Sequence, residues 1–200
     1  MRTLNEGDFK NKKTLVRVDF NVALGPKGEV ADDFRIAKTL PTIKFLAESG
    51  AIVVLMSHLE TEDGPASLRP VSRCLAEMLD RPVKFLRDCV GEKTREAISG
   101  ASAGEIILLE NLRFHEGEKR NDAEFAAELA KNGDCYVNEA FSCCHRAHAS
   151  IAGVPRLLPS YGGMLLSEEI GSLRKIVKNP ARPLVAIIGG VKMDTKAKVI

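Results

Sequence analysis

Apolar positions along this chain fall into short continuous runs, separated by longer stretches with helical spacing. The runs at residues 14–20, 51–57, 83–86, 106–109, 135–138 and 184–188 predict strands. The second run (AIVVLMS) is apolar almost throughout, as befits a strand covered on both faces. Between the first two runs, Ile36, Leu40, Ile43 and Ala47 share one helical face. Pro41 lies within that pattern and predicts a late start or a kink. Val71, Cys74, Leu75, Met78 and Leu79 form the stripe of a helix starting near Ser67 or Pro70. Residues 122–131 read as a helix with Asn121 or Asp122 as its cap and Gly133 as its stop. Residues 164–177 read as another, ended by Asn179-Pro180.

Alternating strands and helices predict an α/β fold. Right-handed crossovers give a Rossmann-like, mainly parallel sheet with helices on both faces. The polar stretch 178–183 carries two prolines and follows a long helix, which marks a boundary. The expected organisation is one domain over 1–163, a connecting helix and linker over 164–182, and the truncated opening of a second α/β domain over 183–200. Composition narrows the class. With 44% hydrophobic and 28% charged residues, the chain can build a full core, so disorder is excluded. A net charge of +2 with no basic run argues against nucleic acid. The five cysteines are odd in number and none is in CxxC spacing. With no leader-like opening, they read as free thiols of a cytoplasmic protein. No apolar run is long enough to span a membrane.

Open parallel sheets bind ligands beyond the carboxyl ends of their strands. Asp19 and Asn21 stand at the end of the first predicted strand, and Arg35 closes the loop after it. His58 follows the second, Arg113 the fourth, and His145, Arg146 and His148 the fifth. Arg17, Asp19 and Asn21 also alternate with Val16, Val18 and Phe20, so a polar line shares one face of a strand expected to be buried. Each basic residue alone is ordinarily a surface group or an ion-pair partner. As a set gathered at strand ends, they point to a small anionic metabolite, since arginine forks suit carboxylate and phosphate. Gly189 to Lys196 (GGVKMDTK) reads either as a phosphate-approaching turn or as a plain strand-to-helix turn with solvated lysines, and it is not a P-loop. Cys143, Cys144, His145 and His148 lack zinc-finger spacing, so no metal site is expected. A nucleophilic Cys143 or Cys144 with His145 as base has no supporting third group. His115 reads as exposed.

Six segments in order resemble phosphoglycerate kinases: VRVDFNVAL (16–24), DDFRI (32–36), SHL (57–59), LLENLRF (108–114), NEAFSCCHRAHAS (138–150) and PLVAIIGGVKMDTK (183–196). The resemblance implies two Rossmann-like halves, one holding 3-phosphoglycerate or 1,3-bisphosphoglycerate and the other Mg-ATP or Mg-ADP. It implies a monomer that transfers a phosphoryl group in glycolysis. Arg17, Asp19, Phe20, Asn21, Arg35, His58, Leu59, Arg113, His145 and Arg146 would bind the substrate, with Arg35 and Lys192 catalytic. Lys192 and Lys196 would reach the transferred phosphoryl group and the nucleotide phosphates. The resemblance also exposes departures. The family continues SHL with Gly-Arg-Pro, whereas this chain continues with Glu60-Thr61-Glu62-Asp63, so one arginine is missing at Thr61. Arg69 is the nearest replacement by sequence. VNDAF becomes VNEAF and GTAHR becomes SCCHR. The family being about twice as long, little or no turnover is expected of these 200 residues alone, and a non-catalytic anion-binding relative is the competing expectation.

Overall fold

A computed structural model describes residues 2–178 and 180–185. Six parallel strands form one sheet in the order β5-β6-β2-β1-β7-β8. They are β1 (Lys13–Arg17), β2 (Ile52–Met56), β5 (Val83–Phe85), β6 (Ile106–Leu108), β7 (Cys135–Asn138) and β8 (Ser160–Gly162). β1 sits between β2 and β7, with Leu15 level with Val54 and Tyr136. A separate antiparallel hairpin, β3 (Glu60–Thr61) and β4 (Gly64–Pro65), projects just beyond β2.

The sheet carries an apolar cluster on each face, as a parallel sheet must. Val16, Val53, Leu55, Leu108 and Val137 point to one side, where α1 (Phe34–Glu48) and α2 (Arg69–Leu79) cover them. Leu15, Val54, Met56, Ile107 and Tyr136 point to the other, under α3 (Glu92–Ser99) and α5 (Ala123–Ala130). The expected class, a Rossmann-like α/β sheet with helices on both faces, is what forms.

Three local outcomes differ from expectation. The regular ladder of β1 stops at Arg17, but Val18 still donates to the Met56 carbonyl at 3.1 Å. Val18 and Phe20 stay in the same cluster as Val16, so the alternation outlasts the ladder. α1 starts seven residues before Pro41 and runs through it. Its buried face (Ile36, Thr39, Ile43, Leu46) outweighs one lost hydrogen bond, and Pro41 itself is exposed. Between β6 and α5, a short helix α4 (Glu116–Arg120) ends at Asn121, whose φ of 52° is left-handed. Asp122, one of the two expected caps, then caps α5, its side chain accepting from the Phe125 amide at 2.8 Å.

The chain divides into a larger unit, Met1–Glu169, and a smaller one, Ile170–Ile200, the division falling inside α6 (Met164–Lys178). The start of α6 is fixed within the larger unit. Buried Glu139, just past β7, accepts from the Leu165 and Leu166 amides and from the Thr42 hydroxyl. Apart from Leu184 and Val185, the strand expected over 184–188 lies outside the described residues, as do Lys192 and Lys196.

Candidate active site

Arg17, the last residue of β1, has the largest fully buried side chain in the protein's described part. Its Nε donates to Ser150 Oγ at 2.9 Å, and Nη1 to the Val18 carbonyl. Nη2 lies 3.1 Å from His58 Nδ1 and 3.8 Å from Cys143 Sγ. An arginine can only donate, so His58 Nδ1 accepts and its proton resides on Nε2. Among the described residues Arg17 forms no ion pair with a carboxylate. The nearest acid route is indirect, through Ser150, which donates from both its amide and its hydroxyl to buried Glu118.

His58 reports the field at this point. Burial pushes its pKa down from 6.5 to about 2, and the guanidinium groups of Arg17, Arg113 and Arg146, with His148, push in the same direction. Arg113 is lowered by its own burial, then by Arg146 and Arg17. Arginines from three strand ends therefore crowd like charge around a neutral His58, the condition that an anion relieves.

Asp19 gathers the opposite rim. Its Oδ2 accepts from Arg35 Nη1 at 2.5 Å and from Ser142 Oγ at 2.6 Å. Its Oδ1 accepts from the Asn21 amide and lies 4.0 Å from His58 Nδ1. Asn21 in turn accepts at Oδ1 from the Glu60 amide at 2.8 Å, which ties the rim to the β3–β4 hairpin. Arg35 remains half exposed.

Arg113 follows β6 on a 3-10 turn, Leu112–Phe114, capped by Asn111, whose side chain accepts from the Arg113 amide at 2.9 Å. Its Nη1 pairs with Glu60 Oε2, and Lys119 Nζ holds the other Glu60 oxygen at 3.0 Å. The Arg113 side chain is only 3% exposed, and its buried Nε has no partner. An unpaired donor at that depth is costly unless a ligand serves it.

The loop after β7 divides its residues. Arg146 bears on both His58 and Arg113. His145 is exposed and accepts from Arg146 Nε at 3.2 Å. Cys143 is buried against Arg17, whereas Cys144 is exposed, with desolvation raising its thiol pKa. Neither thiol is hydrogen-bonded to His145 among the described residues, so the pairing needed for a nucleophile is missing. Cys143, Cys144, His145 and His148 do not assemble together. The described triplets of ligand atoms are Asp19, His58 and Cys143 in one place, and Asp88, Cys89 and His115 in another. The first stands in the cationic field just described, which repels a metal ion.

Phe20 and Leu59 turn their side chains fully into the core, so only their backbones face outward chemistry. Arg69 does not fill the gap at Thr61, because its guanidinium lies over the Phe85 ring on edge strand β5. His115, expected exposed, is partly buried, paired with Asp88 at 2.9 Å and stacked on Phe125. Sequence reasoning marked the acidic stretch from Glu60 but missed its pairing with Arg113, and it missed Lys119, Glu118, Ser142 and Ser150 as site neighbours. Glu118 and Lys119 gave a signal only in hindsight, lying five and six positions beyond Arg113 on the next helical turn.

A family model described as phosphoglycerate kinase matches residues 4–200. This chain belongs to the phosphoglycerate kinase family. It is 50% identical over 196 residues to a phosphoglycerate kinase of Wolbachia sp. subsp. Drosophila simulans, covering 96% of the chain and 49% of that relative. It is 45% identical over 204 residues to one from Coprothermobacter proteolyticus, covering 100% and 52%. The crystal structure of phosphoglycerate kinase from Pyrococcus horikoshii OT3 superposes with a TM-score of 0.93 at 33% identity, covering 100% of this chain and 51% of that one. The chain thus spans about half the length of the curated relatives it matches. Among the described residues, no helix is long and apolar enough to cross a membrane. Glu60, which directly follows the Ser57-His58-Leu59 segment, contacts a buried arginine of the basic cluster.

Proposed function

We propose that this chain is the 3-phosphoglycerate-binding half of a phosphoglycerate kinase, which moves a phosphoryl group between 1,3-bisphosphoglycerate with ADP and 3-phosphoglycerate with ATP. The observation that carries the reading is the buried cationic cluster: Arg17 without a carboxylate partner among the described residues, Arg113 with an idle Nε, and His58 held neutral by burial and by both. Arg113, Arg146 and Arg35 supply forks for the phosphate and carboxylate. Asp19 and Asn21 accept from or donate to the glycerate hydroxyl. His58 offers an Nε2 proton without adding charge.

The chemistry fits this set. A carboxylate attacking a phosphoryl group is already ionised, so no general base is needed. The requirement is to bring anion to anion, which positioned cations achieve by neutralising charge. Arg35, half exposed at the rim and paired with Asp19, is the cation assigned to the reacting carboxylate in this proposal. Mg-nucleotide is that substrate. Lys192 beside the phosphoryl group and Lys196 on the nucleotide phosphates belong to this proposal on family resemblance, as does a second domain opening at residue 183 and a monomeric state.

Calorimetric titration with 3-phosphoglycerate tests the reading. Binding is expected, and Arg146→Ala, an exposed change, should weaken it by about tenfold or more, the scale of one charge-assisted contact. No heat at millimolar ligand from the folded chain refutes the substrate site. The 200 residues alone should show no measurable ATP-dependent transfer, and robust turnover would overturn that part. A second reading, a non-catalytic anion-binding relative, is favoured by the absent arginine at Thr61. Binding of inorganic phosphate without 3-phosphoglycerate would select it.

A further inference from the structure

The departure at residues 60–61 and the ion pairs of Arg113 belong to one arrangement. The resemblance implies Gly-Arg-Pro after SHL, whereas this chain has Glu60-Thr61-Glu62, a carboxylate and no cation. That carboxylate is not solvated on the surface. One oxygen of Glu60 meets the buried Arg113 and the other meets Lys119, so it spans two cations of the site. A carboxylate spanning two cations reproduces half of what a phosphate would do there. We propose that Glu60 is an internal competitor for the anion site: it occupies Arg113 and Lys119 until an incoming phosphate displaces it, and Lys119 then serves the ligand in place of the absent arginine. This rests on the reading of the cluster as a phosphate site.

The hairpin is built for such a release. Its base is clamped, because Asn111 Nδ2 donates to both the Leu59 and Ala66 carbonyls at 2.6 and 2.7 Å, and the Ala66 amide closes on Leu59. Above that clamp the ladder holds only two residue pairs, Glu60 with Pro65 and Thr61 with Gly64. Glu62 and Asp63 at the tip are exposed. Glu60 itself keeps about a third of its side chain in solvent (36%), whereas Arg113 keeps almost none. The acid can swing out at small cost, while the arginine stays in place. Its backbone remains tethered, the Glu60 amide donating a hydrogen bond to Asn21 Oδ1. A phosphate dianion wins the exchange by charge, and the glutamate sets how much anion is needed to win it.

Titration of the 200-residue chain and of Glu60→Gln with inorganic phosphate, and separately with 3-phosphoglycerate, tests this. The glutamine keeps the shape and loses the competing charge. Phosphate affinity is expected to rise roughly three- to tenfold in Glu60→Gln, the scale of one partly exposed ion pair, with the gain shrinking as salt is added. Glu60→Gly, the residue that the family resemblance implies here, should behave alike and guards against a glutamine variant that fails to fold. Lys119→Gln in the Glu60→Gln background should remove much of the gain. Equal or weaker phosphate binding by both position-60 variants overturns the proposal, because a purely structural Glu60 would leave affinity unchanged or lower it. If phosphate responds as expected but 3-phosphoglycerate binds no variant, the internal competitor stands and the substrate assignment falls.

Discussion

At the scale of single residues, His58 shows how burial and field combine. Its imidazole is neutral in the folded protein, with its pKa pushed down to about 2, and returns to about 6.5 when the chain unfolds. The unfolded state therefore takes up a proton as pH falls below 6.5, while the folded state does not. Stability attached to this group is constant above that pH and is lost steadily below it, by about 2 kcal/mol at pH 5. His148, lowered mainly by its own burial, acts in the same direction. Urea unfolding at pH 7.5 and pH 5 should show a smaller acid loss in His58→Asn than in the parent chain. An equal loss in both would mean that carboxylates alone govern the acid limb. What the sequence revealed at this scale was the cations, because strand ends can be located from apolar runs. The ion pairs were hidden. Nothing in the spacing of Glu60, Arg113 and Lys119 places them together, and the contact exists only once a hairpin folds back over the turn that follows β6.

At the scale of elements, legibility followed the size of the buried face. Strands β2, β6 and β7 were readable because each is apolar over most of its length, and β1 because Leu15 and Val16 open an alternation that Val18 and Phe20 continue. α3 buries only Thr94 and Ile98, too thin a stripe for periodicity to register. β8 is three residues, Ser-Tyr-Gly, and exists because β7 offers it a free edge. The β3–β4 hairpin has no apolar alternation at all, and it is held by Asn111. That residue joins three backbone groups: the Leu59 and Ala66 carbonyls and the Arg113 amide. Replacing it with alanine leaves all three without their side-chain partner in a buried setting. Asn111→Ala is expected to cost about 2–4 kcal/mol, summing typical penalties for stranded polar groups. Chemical denaturation measures that loss. The same variant should loosen anion binding, since the turn that aims Arg113 is undone together with the base of the hairpin. A change under about 0.5 kcal/mol would show that water replaces the amide without penalty.

At the scale of the whole molecule, the site is a property of the sheet rather than of any segment. β1 contributes its arginine from the middle of the sheet, β2 and β6 contribute from one side, and β7 from the other. A ligand that bridges these strand ends also ties them together. 3-Phosphoglycerate at a hundred times its dissociation constant should stabilise the larger unit by about 2.7 kcal/mol. A melting-temperature rise that keeps growing with the logarithm of ligand concentration is the expected reading, and about half that rise in Arg146→Ala at the same concentration, because tenfold weaker binding leaves about 1.4 kcal/mol.

The placement of β1 has a consequence in time. Thr14 lies beside Cys135, so the central strand lacks one neighbour until more than a hundred further residues have joined the chain. Pairings of such long reach close late and slowly. During synthesis, Arg17 emerges early yet finds its surroundings only after Cys143 and Ser150 have followed. A chain released before that point would carry the arginine exposed and the anion site unmade. On the proposed reading, capture of an anion there is a late event in the birth of the protein, and a signal that the central strand has both its neighbours.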